Sequence, residues 1–266
     1  MIFKNFYLFL RGSFFFTFIF GLYYKTKYDF LEIDITYKCN LKCVDCNRSC
    51  GNAPSEESMS VEQIRKFVKE SIEKGKIWKG IRLLGGEPTM HDDLFDIIDL
   101  ILKYKAFYPE VSLRFTTNGL SEKTKEVINR IPKDFVIENT DKGNKKNSFV
   151  CFNNAPIDSS LYQVMDFSNA CYITQVCGLG LTKYGYYHCA IAGSIDRVFG
   201  FNLGRKEIPA IGDEMIKEKR ILCKYCGHFR ELFEGEKSRK VGIISRSWVK
   251  AYEEYRSSRK NDFDCY

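Results

Sequence analysis

The sequence predicts an α/β fold in which a partial barrel of parallel strands is followed by a small cysteine-rich unit. Three observations predict it. Between residues 30 and 130 the order strand, loop, helix occurs three times. The polar and glycine-rich signals fall just after the strands, where parallel α/β folds place their sites. Beyond Cys171 helical periodicity fades, and Cys, Gly and Tyr become frequent.

Phe30–Thr36, FLEIDIT, alternates apolar and polar residues as a half-buried strand does. A cysteine loop follows at once, then a polar connection over Gly51–Ser58. Ser60 is placed to cap a helix reaching Lys74, with Ile64, Phe67, Val68 and Ile72 at helical spacing. Trp78–Leu84 reads as the second strand and runs into Gly85-Gly86-Glu87-Pro88. Asp92–Tyr104 reads as a helix with Leu94, Ile97, Ile98 and Ile101 on one face. Val111–Thr116 is the third strand, closed by Asn118-Gly119, and Ser121–Arg130 the third helix. Phe135–Glu138 and Phe149–Phe152 are short strand candidates. CGLGLTKYGYYHC reads as a hairpin turning near Lys183–Gly185, and Ser247–Ser257 as a closing helix. Strands joined by helical crossovers imply a parallel sheet with right-handed connections. The expected divisions are an aromatic-rich segment (1–29), the barrel unit (30–164), the cysteine-rich unit (165–235) and a C-terminal helical segment (236–266).

The chain has 266 residues, 44% of them hydrophobic, enough for one sizeable core plus a small appendage. Its net charge of +7 suits an anionic small molecule, a nucleic acid or an anionic membrane face without selecting among them. No basic-aromatic nucleic-acid module is evident. In the Phe- and Tyr-rich N-terminal segment, Arg11 interrupts the apolar run and the uncharged stretch Gly12–Tyr24 is 13 residues long. A membrane span needs about 20. The segment lacks an evident signal-cleavage site. It therefore packs as a helix on the domain, touches a membrane peripherally, or forms a partner or self-association surface.

The cysteine pattern carries the chemistry. There are 11 Cys, an odd number, and they cluster. Tight clusters in a chain of this length suit metals or clusters more than disulfides, and imply a reducing, cytoplasmic setting. Cys39, Cys43 and Cys46 form C-x3-C-x2-C. Three thiolates can hold three irons of a [4Fe–4S] cube, leaving the fourth iron open to chelate the amine and carboxylate of a methionine moiety. One electron passed to the adjacent sulfonium then breaks a carbon–sulfur bond. The plainer alternative is a structural zinc site made of the same three thiols with Cys50. Cys50 otherwise reads as buried or incidental.

The triad, its place after the first strand and GGEP after the second resemble the radical S-adenosylmethionine superfamily over roughly residues 30–155. The resemblance implies a partial (β/α)6 TIM-like barrel, a [4Fe–4S] cluster with an open iron site, and S-adenosylmethionine as cofactor. It implies that Gly85, Gly86 and Glu87 contact the methionyl amine, and that Thr117 and Asn118 meet the ribose or methionyl carboxylate. Glycines permit close backbone approach and a carboxylate can pair with an ammonium. Family members usually carry an aromatic residue before the third cysteine. Here that residue is Asp45, with Tyr37 or another ring as a substitute.

The second cysteine set, Cys177 and Cys189 on the hairpin with Cys223 and Cys226 in CKYC, resembles the twitch domain, the short relative of SPASM. It implies a second, auxiliary [4Fe–4S] cluster on those four residues, with zinc as the alternative. Gly185 and Cys189 enclose three residues where the family usually has four. Cys171 replaces one ligand, touches substrate, or, like Cys151, returns hydrogen in an epimerisation. His188 and His228 adjoin ligand candidates as supporting or surface residues. Cys151 and Cys265 otherwise carry no evident role.

The resemblance implies an oxidoreductase-like enzyme that cleaves S-adenosylmethionine to a 5′-deoxyadenosyl radical, which abstracts hydrogen from carbon. The expected substrate is a small polar, sugar-like molecule undergoing oxidation, epimerisation or dehydration. The alternatives are a peptide maturase and an RNA-modifying enzyme. The expected partner is a reductant such as flavodoxin or ferredoxin.

Overall fold

The computed structural model describes residues 2–140, 152–234, 241–257 and 263–266. Helices α1 (Ile2–Gly12) and α2 (Phe14–Phe20) open the chain as a hairpin. Ser13 breaks and caps between them, its hydroxyl accepting from the Phe16 N–H. Arg11 folds back over the turn, donating to the carbonyls of Phe16 and Gly21 and lying against the rings of Phe20 and Tyr23. Leu8 is buried among Tyr162, Met165 and Phe229, which docks the hairpin. Phe14, Phe15, Phe18 and Phe20 remain exposed.

Strand β1 (Phe30–Thr36) leads through the cysteine loop to α3 (Val61–Glu73), β2 (Gly80–Gly85), α4 (Leu94–Phe107), β3 (Ser112–Thr117), α5 (Glu122–Asn129) and β4 (Phe135–Asn139). These are the expected strand–helix units, with small differences at the ends. Ser60 caps α3 in a full capping box with Gln63. The second strand begins at Gly80 rather than Trp78. The Trp78 N–H instead donates to the Tyr104 hydroxyl at 2.9 Å, and its indole N–H to Ser71 at 3.1 Å. The second helix begins at Leu94 rather than Asp92, because Asp92 pairs with Lys38 and the Asp93 N–H donates to the His91 ring. Of the Phe149–Phe152 strand candidate, residues 149–151 lie outside the described residues and Phe152 sits in a turn.

The later chain forms α6 (Ile173–Val176), the hairpin β5 (Leu179–Thr182) and β6 (Gly185–Tyr187), α7 (Ala190–Phe199), α8 (Ile216–Leu222), α9 (Gly227–Glu234) and α10 (Arg246–Ser257). The hairpin adds to the free edge of β1, giving one sheet of order β4-β3-β2-β1-β5-β6. The first five strands in that order run parallel and β6 antiparallel. The sheet is therefore an open partial barrel, and its six strands are not six strand–helix repeats.

Alternation sorts the sheet into two faces. Leu31, Ile33, Ile35, Ile81, Leu83, Leu113 and Phe115 pack with Phe67, Ile97, Ile101 and Tyr104 of α3 and α4. Each such burial contributes about 1.5–3 kcal/mol. The opposite face carries Glu32, Asp34, Arg82, Arg114 and Glu138, joined by ion pairs.

Candidate functional site

The cysteine loop is closed at its base. The Tyr37 N–H donates to the Glu57 carbonyl and the Met59 N–H to the Ile35 carbonyl, both at 2.8 Å, so both ends are stitched to β1. Its inner side rests on the end of β2. Gly86 N–H donates to the Thr36 carbonyl and Glu87 N–H to the Lys38 carbonyl. A Cβ at Gly85 would lie 2.3 Å from the Thr36 carbonyl oxygen, and one at Gly86 2.2 Å from that of Lys38. Gly85 also has φ +136°. Only glycine permits that approach and that conformation.

Cys39, Cys43 and Cys46 line one cleft with Gly85, Gly86, Thr116, Thr117 and Asn118, about 150 Å³ in volume. The three predicted thiols and the glycine turn thus meet. Cys46 lies beside Cys50 and the backbone N–H groups of Cys50 and Arg48, all of which favour its thiolate. Together with the Arg48 charge, these outweigh burial and bring its thiol down to about 6. Cys50 likewise lowers Cys39. A thiol held ready to ionise, with backbone donors beside its sulfur, fits an iron ligand.

Glu87 differs from its expected role. Its carboxylate is fully buried and already accepts from the Thr89 hydroxyl (2.8 Å), the Thr117 hydroxyl (2.7 Å) and the Asn118 N–H (2.8 Å). It braces the ends of β2 and β3 and does not present itself to an ammonium. Asn118 is also engaged, its amide donating to the Asn40 side chain at 2.7 Å, which ties the cysteine loop to β3. Thr117 and Asn118 still line the cleft.

Tyr37 does not replace the missing aromatic residue. Its ring is buried against Tyr184 and beneath the Arg197 guanidinium, outside the cleft lining. Asp45 has a different job. It is buried at φ +55° and accepts from the Gly242 N–H and the Asn153 amide, pinning the loop to the later chain.

A ladder of charges runs from Arg48, in the cleft wall, across the polar face of the sheet. Arg48 pairs with Glu32 at 3.0 Å and Asp34 at 3.2 Å. Arg82 pairs with Glu32 at 2.6 Å and Glu138 at 3.0 Å, and Arg114 with Glu138 at 3.0 Å. Burial raises Asp34 to about 6 despite the Arg48 charge. These residues were missed in the sequence, although FLEIDIT places Glu32 and Asp34 on one strand face. The register then sets Arg82 opposite Glu32, and Arg114 opposite Arg82.

The second thiol group assembles differently from expectation. Cys171, Cys189, Cys223 and Cys226 line one apolar cavity with His188. Cys177 does not line it. Cys177 sits instead beside Glu32 and Arg82 in a separate cleft, its thiol raised to about 12 by burial and by Glu32. The hairpin register explains the exchange. Cys189 directly follows β6, whereas Gly178 at φ +74° turns the chain between Cys177 and β5. Burial raises the thiols of Cys189, Cys223 and Cys226, which keeps them protonated until a metal replaces the protons. The space between them is about 10 Å³, so the side chains must part to admit a cluster. Among the described residues, no group of three or more ligating side chains is drawn together as a single ion requires. A cube spreads its thiolates further apart than a single ion does, and four buried thiols in an apolar wall suit one.

His188 and His228 are both buried. His188 Nε2 lies 3.2 Å from the Cys223 sulfur. Burial pushes His188 down to about 3 and His228 to about 4, leaving both neutral. Cys151 lies outside the described residues, and Cys265 is exposed.

Comparison with known proteins agrees with the first site. Residues 33–136 match the family described as the Radical SAM superfamily. The chain is 36% identical over 95 residues to the GTP 3′,8-cyclase of Aliarcobacter butzleri, covering 35% of this chain and 28% of that protein. It is 38% identical over 98 residues to the GTP 3′,8-cyclase of Campylobacter curvus, covering 36% and 29%. The match thus spans under a third of these relatives' length. Among solved structures, BtrN in complex with AdoMet and 2-DOIA aligns over 90% of this chain and 92% of its own, at 13% identity and a TM-score of 0.42. Streptococcus suis SuiB aligns over 57% of this chain and 32% of its own, at 17% identity and a TM-score of 0.30. The matched stretch contains the cysteine triad and the Gly85–Gly86 turn, and this chain therefore carries a domain of the radical SAM superfamily.

Proposed function

We propose that the chain is a radical S-adenosylmethionine enzyme acting on a small polar, sugar-like molecule. One observation carries the reading: three thiols on the loop after β1 open onto a cleft walled by Gly85, Gly86 and Thr116–Asn118. Cys39, Cys43 and Cys46 would hold the cluster, and the backbone of Gly85–Gly86 would meet the methionyl group. When bound, a [4Fe–4S] cluster with one open iron and S-adenosylmethionine supply a carbon radical that removes hydrogen from substrate. Glu87 and Asn118 hold the cleft wall rigid, and Asp45 ties its roof to the later chain. Rigid walls keep water and stray hydrogen donors from a reactive intermediate.

The charged strand face supports a polar substrate. Arg82 and Glu138 are partly exposed and set donors and acceptors side by side, and Arg82 lines the neighbouring cleft that also holds Cys177. The matched relatives act on GTP by their names, but the shared stretch covers the cofactor domain and leaves the substrate open.

Cys171, Cys189, Cys223 and Cys226 form the ligand set for an auxiliary [4Fe–4S] cluster, with Cys171 in the place expected for Cys177. If bound there, such a cluster would supply an acceptor for the second electron of an oxidation. A flavodoxin- or ferredoxin-like protein in the cytoplasm supplies the first. Among the described residues, no helix is long and apolar enough to cross a membrane. Residues 1–28 contain four basic and no acidic side chains, and Phe15 and Phe18 are exposed at 67% and 91%. That combination favours the hairpin α1–α2 resting on an anionic membrane surface.

The test is anaerobic reconstitution, followed by a screen of deuterated metabolites, peptides and RNA for label transfer into 5′-deoxyadenosine. Transfer from a polyol or sugar derivative is the expected result. Transfer only from peptide or RNA replaces the substrate reading, and no S-adenosylmethionine cleavage overturns the whole.

A further inference from the structure

Two clefts follow one another along the polar face of the sheet. Arg82 of β2 and Arg114 of β3 line one of them, about 160 Å³ in volume, together with Glu32 and Cys177. Leu84 and Thr116, two residues further along the same strands, line the cysteine cleft. Residues i and i+2 of a strand share a face and lie roughly 7 Å apart. The two clefts also share an ion pair, with Arg48 in the wall of the cysteine cleft reaching Glu32 in the other at 3.0 Å. A molecule of sugar size spans that step.

The polar groups of the Arg114 cleft are not evenly engaged. Glu32 accepts from Arg82 at 2.6 Å on one oxygen and from Arg48 at 3.0 Å on the other. Glu138 accepts from Arg114 at 3.0 Å on one oxygen and from the Thr116 hydroxyl at 2.8 Å on the other. Both oxygens of Asp34 accept from Arg48. The acceptors of this face are therefore taken by its own donors. Arg114 differs. Among the described residues it donates from Nη1 alone, its Nε has no partner, and its side chain is 40% exposed. The register also sets it directly opposite Arg82, so two guanidinium groups stand side by side. The Nε–Nη2 edge of an arginine offers two parallel donors that match two oxygens of a carboxylate or phosphate.

We infer that Arg114 is a substrate-binding residue whose free edge takes an anionic group, carboxylate or phosphate, of a small molecule with its reacting carbon in the cysteine cleft. This inference rests on the proposed function and narrows its substrate class to anionic sugar-like molecules.

The experiment titrates inorganic phosphate and acetate, separately, into the reconstituted full chain with S-adenosylmethionine bound, by calorimetry at low ionic strength. Wild type is compared with Arg114→Gln, Arg114→Lys and the exposed-lysine control Lys103→Gln. Arg114→Gln should weaken binding of the preferred anion at least tenfold. Arg114→Lys, which keeps a charge beside Glu138 and loses the fork, should recover part of that loss, and it makes the same test if Arg114→Gln fails to fold. Lys103→Gln should bind as wild type does. The stronger of the two anions tells a phosphate-bearing from a carboxylate-bearing substrate. No binding by wild type, equal binding by wild type and both Arg114 variants, or an equal loss in Lys103→Gln overturns the inference and leaves the proposed function standing. Absence of S-adenosylmethionine cleavage in the reconstituted wild type overturns the proposed function, and the inference with it.

Discussion

Arg48 donates from Nε to both carboxylate oxygens of Asp34 at 3.2 Å, joining the cysteine loop to the polar face of β1. Both side chains are buried, and the same guanidinium reaches Glu32 at 3.0 Å. Removing Arg48 leaves two buried carboxylates short of a partner. Arg48→Met is therefore expected to cost about 3–5 kcal/mol in stability, read from urea unfolding of the metal-free chain. A loss below about 1 kcal/mol would show that the loop is held by other contacts.

The same pair has a pH signature. Asp34 is raised from 3.8 to about 6 by burial. The folded state thus holds this proton more tightly than the unfolded state does. The resulting stabilisation is full below the unfolded value and is lost as pH rises through the folded one. Asp34→Asn mimics the protonated form at every pH. Relative to wild type, it should gain on the order of 2 kcal/mol between pH 4 and pH 7 in paired urea titrations. A constant difference across that range contradicts the assignment.

Gly85 and Gly86 admit no side chain without moving a carbonyl oxygen of the β1 exit. Gly85→Ala and Gly86→Ala should each cost about 1–3 kcal/mol. Each should also weaken S-adenosylmethionine binding, measured by calorimetry on reconstituted protein. Gly75, at φ +58° with open space around it, provides the control. Gly75→Ala should lose stability while leaving that binding unchanged.

Iron counting separates the two readings of the cysteine-rich unit. Cys171→Ala should lose about four of about eight irons per chain, whereas Cys177→Ala should keep them all. The reverse pattern would return Cys177 to the ligand set.

The aromatic hairpin can be probed without disturbing the core. Phe15→Ser with Phe18→Ser removes two exposed rings, so the unfolding midpoint should stay within about 0.5 kcal/mol of wild type. Sedimentation with vesicles containing anionic lipid should drop at least tenfold. Equal sedimentation of variant and wild type would contradict a membrane-resting face.

The sequence by itself determined the strand–helix order, the place of the triad after β1, the glycine turn after β2 and the cap at Ser60. These are local matters: periodicity, capping chemistry and ligand spacing are all set within one or two turns of chain. Tertiary structure decided what depends on which residues face one another across the sheet. It saturated Glu87 with donors from Thr89 and the end of β3, buried Tyr37 away from the cleft, aligned Glu32 with Arg82 and Arg114, and brought Cys171 to the second thiol group in place of Cys177. A thiol's partners are fixed by strand register and by one positive-φ turn at Gly178, and neither can be read from the spacing of cysteines along the chain.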